Sequence, residues 1–337
     1  MTEKDQLKPI RLLNLGCLTA WQTQAIYHAL AEMMTADSPD TLIICRPQTP
    51  YLCLGYHQPF LTTFDRAECE RRGLPVYRRR VGGGATYLDA NQLFYQCVFH
   101  HRRVPVKADD IYAMMLAAPV ATLCRLGLRG TLREVNEVEA NGRRIAGIGG
   151  GRIGQACVVV GNLLFDFAYQ AMAQVWHAPW PTFRQMAATA LADQVTTLRQ
   201  LLGSISIETV QEILLAEFAA AFERRLERRL KPGCLTEAEI DHAKTVGERL
   251  ASAEYLHLHH DPHQAALVRP LKIAAGLFVH AVQAEVGGQP VRATFRVRDE
   301  MIEQVRLESG LPGRWADIEA RLSGQPFRTW QQQLDPF

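Results

Sequence analysis

Arg78-Arg79-Arg80-Val81-Gly82-Gly83-Gly84-Ala85-Thr86-Tyr87 carries three arginines directly into three glycines. Leu74-Pro75-Val76-Tyr77 ahead of it reads as a strand entering a turn, and Leu93-Phe94-Tyr95-Gln96-Cys97-Val98-Phe99 after it as a strand leaving. Consecutive glycines permit unusual backbone angles and close approach of the main chain to a ligand. They also leave a run of N–H groups free to form a concave anion nest. Arginine supplies a planar, permanently charged fork that suits phosphate or carboxylate. Two readings follow: a basic hairpin with a flexible tip, or an anion site set between two apolar strands.

The rest of the chain bounds what such a site can serve. At 337 residues the chain is long for one core, so a large domain with a smaller one is expected. Hydrophobic residues make up 47% and charged residues 21%, which is ordinary for a soluble globular protein. A net charge of +2 is too balanced for nucleic acid or an acidic membrane surface to be the main partner. The cysteines at 17, 45, 53, 69, 97, 124, 157 and 234 are scattered, with no Cys-x-x-Cys pair. That pattern fits buried free thiols in a reducing cytosol rather than disulfides or zinc. Met1-Thr2-Glu3-Lys4-Asp5 lacks the apolar region of a secretion signal, and no window reaches the length of a membrane span. The expected location is cytoplasmic.

Strands are expected at Arg11–Leu15, Thr41–Cys45 and Tyr51–Leu54, and a helix from its cap Thr19 to Met34. Asp65 reads as the cap of a short helix over Arg66–Arg72, and residues 107–127 and 205–230 read as two long helices. Asn141-Gly142 is a hairpin signal between strands at Glu134–Glu139 and Arg143–Ala146. Gly147-Ile148-Gly149-Gly150-Gly151-Arg152 makes a second glycine-rich, basic turn ahead of a buried strand over Ala156–Phe165. Lys231-Pro232-Gly233 is read as a boundary between a domain of residues 1–230 and a small α+β domain of residues 231–337. The latter holds a helix from Thr236 to Leu250 with a Thr236–Glu239 capping box. A meander over Lys272–Val282, Val291–Val297 and Met301–Leu307 follows, with turns at Gly287-Gly288 and Asp299-Glu300 and a last helix, Trp315–Leu322.

Two glycine-rich basic turns, each inside a sheet, suggest one nucleotide-phosphate pocket built from both. This is not the dinucleotide fingerprint, because the glycines enter a strand rather than open a helix and the ribose-binding acidic residue is missing. It is not a P-loop, because no Gly-Lys-Ser/Thr follows.

Four stretches in order carry a family likeness: Arg78-Arg79-x-x-Gly82-Gly83-Gly84-Ala85; Asn136-Glu137; Gly142-Arg143-Arg144-Ile145-Ala146-Gly147 with Gly161-Asn162-Leu163-Leu164; and Gln194-Val195-Thr196-Thr197-Leu198. Together they resemble the lipoate–protein ligases, within the wider superfamily of biotin and lipoyl ligases and octanoyltransferases. Residues 236–322 resemble the accessory domain of these ligases. The resemblance implies an α+β fold of the class II synthetase and biotin-ligase type: a mixed, largely antiparallel sheet flanked by helices, plus the small α+β domain. It also implies that ATP, with Mg2+, activates lipoate or octanoate as an acyl-adenylate, and that the acyl group passes to a lysine of an apo lipoyl-domain protein. On that likeness Arg79 is expected at the α-phosphate or carboxylate. Gly82, Gly83, Gly84, Ala85, Thr86 and Tyr87 should line the nucleotide, with Gly147, Gly149 and Gly161 completing the acyl-adenylate site. Asn136 should take Mg2+ or phosphate.

Arg144 stands where the family has the lysine that grips the acyl carbonyl and the α-phosphate. Arginine can neutralise an adenylate but cannot serve as a neutral base. Val160 replaces a family histidine. Two alternatives stay open: an ATP-independent octanoyltransferase acting through a cysteine thioester, and a non-catalytic lipoyl-binding protein. For the former, Trp176-His177-Ala178-Pro179 holds no cysteine where that branch carries a Pro-Cys-Gly segment. Cys157 is the thiol nearby and reads as a small buried hydrophobe. His257-Leu258-His259-His260 with His263 reads as a solvated linker, and Trp21 and Tyr27 as core. Arg224-Arg225 with Arg228-Arg229 reads as a charged helix end, with docking of an acidic acceptor domain as the alternative.

Overall fold

A computed structural model of the chain describes residues 8–133, 136–259, 269–286, 289–310 and 313–331. Contacts divide the chain into two compact units: Met1–Gln58, Gly73–Ala168 and Val195–His259 form one, and Pro59–Arg72, Tyr169–Gln194 and His260–Phe337 the other.

The strands of the first unit are β1 (Ile10–Leu18), β2 (Thr41–Pro47), β3 (Tyr51–Leu54), β4 (Val76–Arg78), β5 (Thr86–Leu88), β6 (Gln92–His100), β7 (Gly130–Arg133), β8 (Glu137–Ala140), β9 (Arg143–Ala146), β10 (Ile148–Ile153), β11 (Ala156–Leu164) and β12 (Leu230–Pro232). Six of them form a sheet in the order β10-β11-β6-β2-β1-β12. Pairing is antiparallel from β10 across to β2 and parallel for β2 with β1 and β1 with β12. The expected mixed, largely antiparallel α+β architecture is therefore what the chain builds. Two three-stranded sheets, β4-β3-β5 and β7-β8-β9, complete the unit.

Side chains of β6 are buried on both faces. Leu93, Tyr95, Cys97 and Phe99 join one core and Phe94 and Val98 another, as the two-residue period of a strand requires. On the first face the Ile207–Leu226 helix sets Phe218 against Tyr95, ring centroids 5.8 Å apart, and Phe222 against Phe99 at 5.4 Å. Burying one such ring contributes about 1.5–3 kcal/mol. The second face is covered by the Ala20–Glu32 helix, and its core includes Val81 from the first glycine segment.

Several local readings hold. Thr19 and Gln22 form a capping box at the head of the Ala20–Glu32 helix. Asp65 accepts from the Glu68 N–H, and Asn141 and Gly142 take positive φ between β8 and β9. Others change. The stretch read as one helix over 107–127 is two, Ala108–Met115 and Ala117–Arg125. Pro119 lies in the first turn of the second, where a missing N–H leaves no helical bond unmade. The run read as a break, Lys231-Pro232, lies in β12 and pairs with β1; an edge strand tolerates proline. The Glu237–Ala251 helix then buries Ala243, Val246, Gly247 and Leu250, in the same core as Ala25 and Ala29 of the Ala20–Glu32 helix. Compactness thus cuts the chain elsewhere than at 230/231, because that apolar stripe finds its cover in the first unit.

In the second unit β13 (Leu271–Ala274), β14 (Leu277–Val286), β15 (Gln289–Arg298) and β16 (Met301–Ser309) form the expected antiparallel meander. Asp299 and Glu300 both take positive φ at its last turn, as a tight hairpin demands. The Gly287-Gly288 turn lies outside the described residues. Val291, Ala293, Phe295 and Val297 pack with Ile318 and Leu322 of the Trp315–Leu322 helix. Trp180 Nε1 donates to Thr294 Oγ1 at 2.7 Å, and Arg296 pairs with Asp193 at 2.5 Å. Among the described residues no helix is long and apolar enough to cross a membrane.

Candidate functional site

The two glycine-rich segments meet. The Gly82 N–H donates to the Gly150 carbonyl at 3.0 Å, which lays the first segment along β10. A Cβ on Gly149 would stand 2.7 Å from Gly82 O, and one on Gly55 only 1.9 Å from Gly83 O. Side chains do not fit at such separations, so glycine here serves the contact of main chain with main chain. Gly83 itself has φ 107°. Sequence marks Gly55 only as the start of the Gly55-Tyr56-His57-Gln58 break after the strand Tyr51–Leu54, with no role in the site.

The arginines shape this segment from within. Arg78 is fully buried and donates to the carbonyls of Gly55, Tyr56, Gln58, Tyr255 and Leu256 at 2.5–3.3 Å. Arg79, 6% exposed, donates from Nη2 to Gly84 O at 2.7 Å and to Gly82 O at 3.1 Å, and from Nη1 to Cys53 O at 3.5 Å. Its guanidinium therefore gathers the carbonyls of the glycine turn. Among the described residues, no acceptor takes the N–H groups of Gly83, Gly84 and Ala85, and Gly83 and Gly84 are exposed. The result is three successive uncommitted amides beside a buried cation. Thr86 Oγ1 donates to Cys53 O at 3.4 Å, and Tyr87 is buried in β5.

The Arg80 N–H donates to His28 Nε2 at 2.9 Å, while His28 Nδ1 meets Gln24 O at 2.6 Å. Those partners require the neutral imidazole with its proton on Nδ1. Burial drives the His28 pKa down to about 3.

Arg144 lies on β9. Its Nη1 stands 3.8 Å from Glu137 Oε1, with 28% of the side chain exposed. Desolvation lowers its pKa and Glu137 opposes that shift, but a guanidinium stays charged at neutral pH. The Val195-Thr196-Thr197 stretch holds this strand. Thr196 N donates to Arg144 O at 2.8 Å and Arg143 Nη2 to Val195 O at 2.5 Å. Gly147 N donates to Asn162 Oδ1 at 2.7 Å. Gly161 instead faces the core: a Cβ there would stand 2.3 Å from Tyr95 Oη, which accounts for the glycine by packing. Asn136 is exposed ahead of β8, next in sequence to Glu137. Among the described residues no cluster of three or more His, Cys, Asp or Glu side chains could hold a metal.

Cys17, Cys124 and Cys234 are exposed, against the expectation of buried thiols, whereas two thiols of the β-sheets are poor nucleophiles. Cys157 is half-buried, and burial pushes its pKa up to about 11. Cys53, 3.5 Å from Arg79 Nη1, is fully buried and also raised by burial. Tyr27 is fully buried and Trp21 packs against Gly247, so both are core. Arg228 is buried in an ion pair with Asp40, which Arg103 also meets at 3.1 Å; Arg224, Arg225 and Arg229 remain exposed. His259 packs edge-on to Tyr56 at 5.1 Å and tilted to His57 at 5.7 Å rather than standing free in solvent, while His260 and His263 lie outside the described residues.

Comparison with known proteins follows the same lines. The family profile of the lipoyl protein ligase A/B catalytic domain matches residues 19–219. An octanoyltransferase LipM of Symbiobacterium thermophilum is 25% identical over 262 residues, covering 71% of this chain and 94% of that protein. A putative lipoate-protein ligase A of Aeropyrum pernix is 26% identical over 134 residues, covering 40% of this chain and 46% of that protein. The solved bipartite lipoate protein ligase of Thermoplasma acidophilum superposes with a TM-score of 0.67 at 21% identity, covering 75% of this chain and 98% of that one.

Proposed function

This chain belongs to the lipoyl protein ligase A/B catalytic domain family, and from that premise we propose that it is an ATP-dependent lipoate– or octanoate–protein ligase. The observation that carries the reading is the run of uncommitted amides at Gly83, Gly84 and Ala85, backed by Arg79 and docked on β10 through Gly82. Such a run of amides suits the phosphate oxygens of ATP. In the first step a carboxylate oxygen of the fatty acid attacks the α-phosphorus, the bond to pyrophosphate breaks, and acyl-AMP forms. In the second the neutral amine of an acceptor lysine attacks the acyl carbonyl, and AMP leaves. Both steps gather negative charge at the α-phosphate, where a positioned cation lowers the barrier. Arg144 supplies that cation, while Gly149, closed against Gly82 O, keeps the first glycine segment on β10. Mg2+ would come with the polyphosphate, and the Asn136 side chain would offer it an oxygen donor. The acceptor is an apo lipoyl domain, the kind of partner paired with the Thermoplasma enzyme. The first unit carries this chemistry and the second is accessory.

The second reading, acyl transfer from a thioester, is favoured by the LipM relative. It needs a nucleophilic thiol, and Cys157 with its raised pKa holds few thiolates at neutral pH. The test is to mix the protein with ATP, Mg2+, octanoate or lipoate, and an apo lipoyl-domain protein. Acceptor mass gain with AMP release supports the ligase. Modification from an acyl-thioester without ATP replaces it with the transferase. Ligand binding without either reaction leaves a lipoyl-binding protein.

A further inference from the structure

Tyr87 closes the first glycine segment, and Gly147 opens the second. Between them runs a continuous relay of side-chain amides. Gly147 N–H donates to Asn162 Oδ1 at 2.7 Å, Asn162 Nδ2 to Gln92 Oε1 at 2.5 Å, and Gln92 Nε2 to Tyr87 O at 3.0 Å. The Asn162 N–H returns to Gly147 O at 3.1 Å, so Asn162 holds Gly147 by both its polar groups. Gln92 is fully buried and Asn162 nearly so. The ladder pairs Asn162 with Phe94 and Leu164 with Gln92, which sets the two amides diagonally on one face of neighbouring strands.

The relay has one direction. Asn162 must turn its oxygen to the Gly147 donor, which leaves its nitrogen for Gln92. Gln92 must then accept, which leaves its own nitrogen for Tyr87. Flipping either amide would set oxygen against oxygen or N–H against N–H. The ladder already joins β6 to β11 through their main chains, so this relay is not what pairs the strands. Both its ends are main-chain atoms of the two glycine segments.

We propose that Gln92 and Asn162 are positioning residues whose amides hold the first glycine segment and the Arg144–Gly147 arm at one fixed separation. The proposal takes from the ligase reading only the reaction that this separation serves. Without the relay, the run of amides and Arg144 are each still present but no longer aligned, and alignment bears on turnover more than on binding.

The variants are Gln92→Met, Asn162→Asp and the pair together. If Gln92→Met fails to fold, Gln92→Glu, which keeps the acceptor for Asn162, takes its place. Hydrogen exchange read by mass spectrometry tests the coupling without any activity. Either single change should accelerate exchange about tenfold in peptides spanning both 82–88 and 145–150. Acceleration confined to the substituted residue's own segment overturns the proposal. In the ATP-dependent reaction, kcat should fall about tenfold while KM for ATP stays within about twofold, and the double variant should match the worse single. Additive losses, or a KM effect alone, overturn it. Asn162→Asp adds a pH signature. When protonated, its carboxyl can accept from Gly147 and donate to Gln92, so its activity relative to wild type should rise toward about pH 5.5. A flat ratio counts against the relay. Wild-type protein inactive with ATP removes the ligase reading, and the exchange result still decides on the relay.

Discussion

Acid should loosen the base of the glycine segment through one residue. His28 is fully buried, with Nδ1 against Gln24 O and Nε2 accepting from the Arg80 N–H. Protonation would turn that acceptor into a donor facing a donor, and would add charge near Arg80 and Arg249, with Glu32 in partial opposition. Desolvation is the largest cause that holds the pKa at about 3 against an ordinary 6.5. The sign follows from proton counts. Below 6.5 the unfolded chain binds a proton that the folded chain refuses until about 3, so stability falls as pH falls through that window. By about pH 5 the loss from this one group is about 2 kcal/mol. His28→Gln removes the titration. Denaturant unfolding of both proteins at about pH 7.5 and about pH 5 isolates the effect, since other groups cancel between them. The variant should cost stability at the higher pH, and that cost should shrink by about 2 kcal/mol at the lower. A cost equal at the two pH values, within about 0.5 kcal/mol, would refute the assignment of a neutral, acid-resistant His28.

Three further outcomes test the site. Arg144→Ala should lower adenylate formation by about 10²–10³-fold with little change in melting temperature, and Arg144→Lys should restore most of it; full activity in the alanine variant would remove Arg144 from the mechanism. Gly55→Ala drives a Cβ to 1.9 Å from Gly83 O, so it should cost about 1–3 kcal/mol and abolish ATP-dependent acylation; unchanged acylation would show that the placement of Gly83 does not matter. Cys157→Ser should change acyl transfer by less than about twofold, and a loss above about tenfold would favour a thioester route.

The glycine and arginine runs, the Asn141-Gly142 turn and the Thr19 and Thr236 caps were legible because each is a local rule with a fixed chemical cause. The ordered stretches out to Leu198 located the family. The fate of Lys231-Pro232 was not legible, because a proline near the end of a helix looks alike whether it ends a domain or enters an edge strand. The direction of Arg79 was not legible either: sequence gave it to the ligand, and the structure spends its donors on Gly82, Gly84 and Cys53.

Sequence by itself determined which residue types could form an anion nest, where several helix caps and turns fall, and that a cation other than lysine occupies position 144. These follow from backbone freedom, side-chain charge and short-range spacing, which travel with the chain. Only the tertiary structure decided that Gly82 docks on Gly150, that Gly55 makes room for Gly83, and that Gln92 and Asn162 tie the two segments together. Those contacts join residues far apart in sequence through buried hydrogen bonds, and such partners are chosen only when the sheet is assembled.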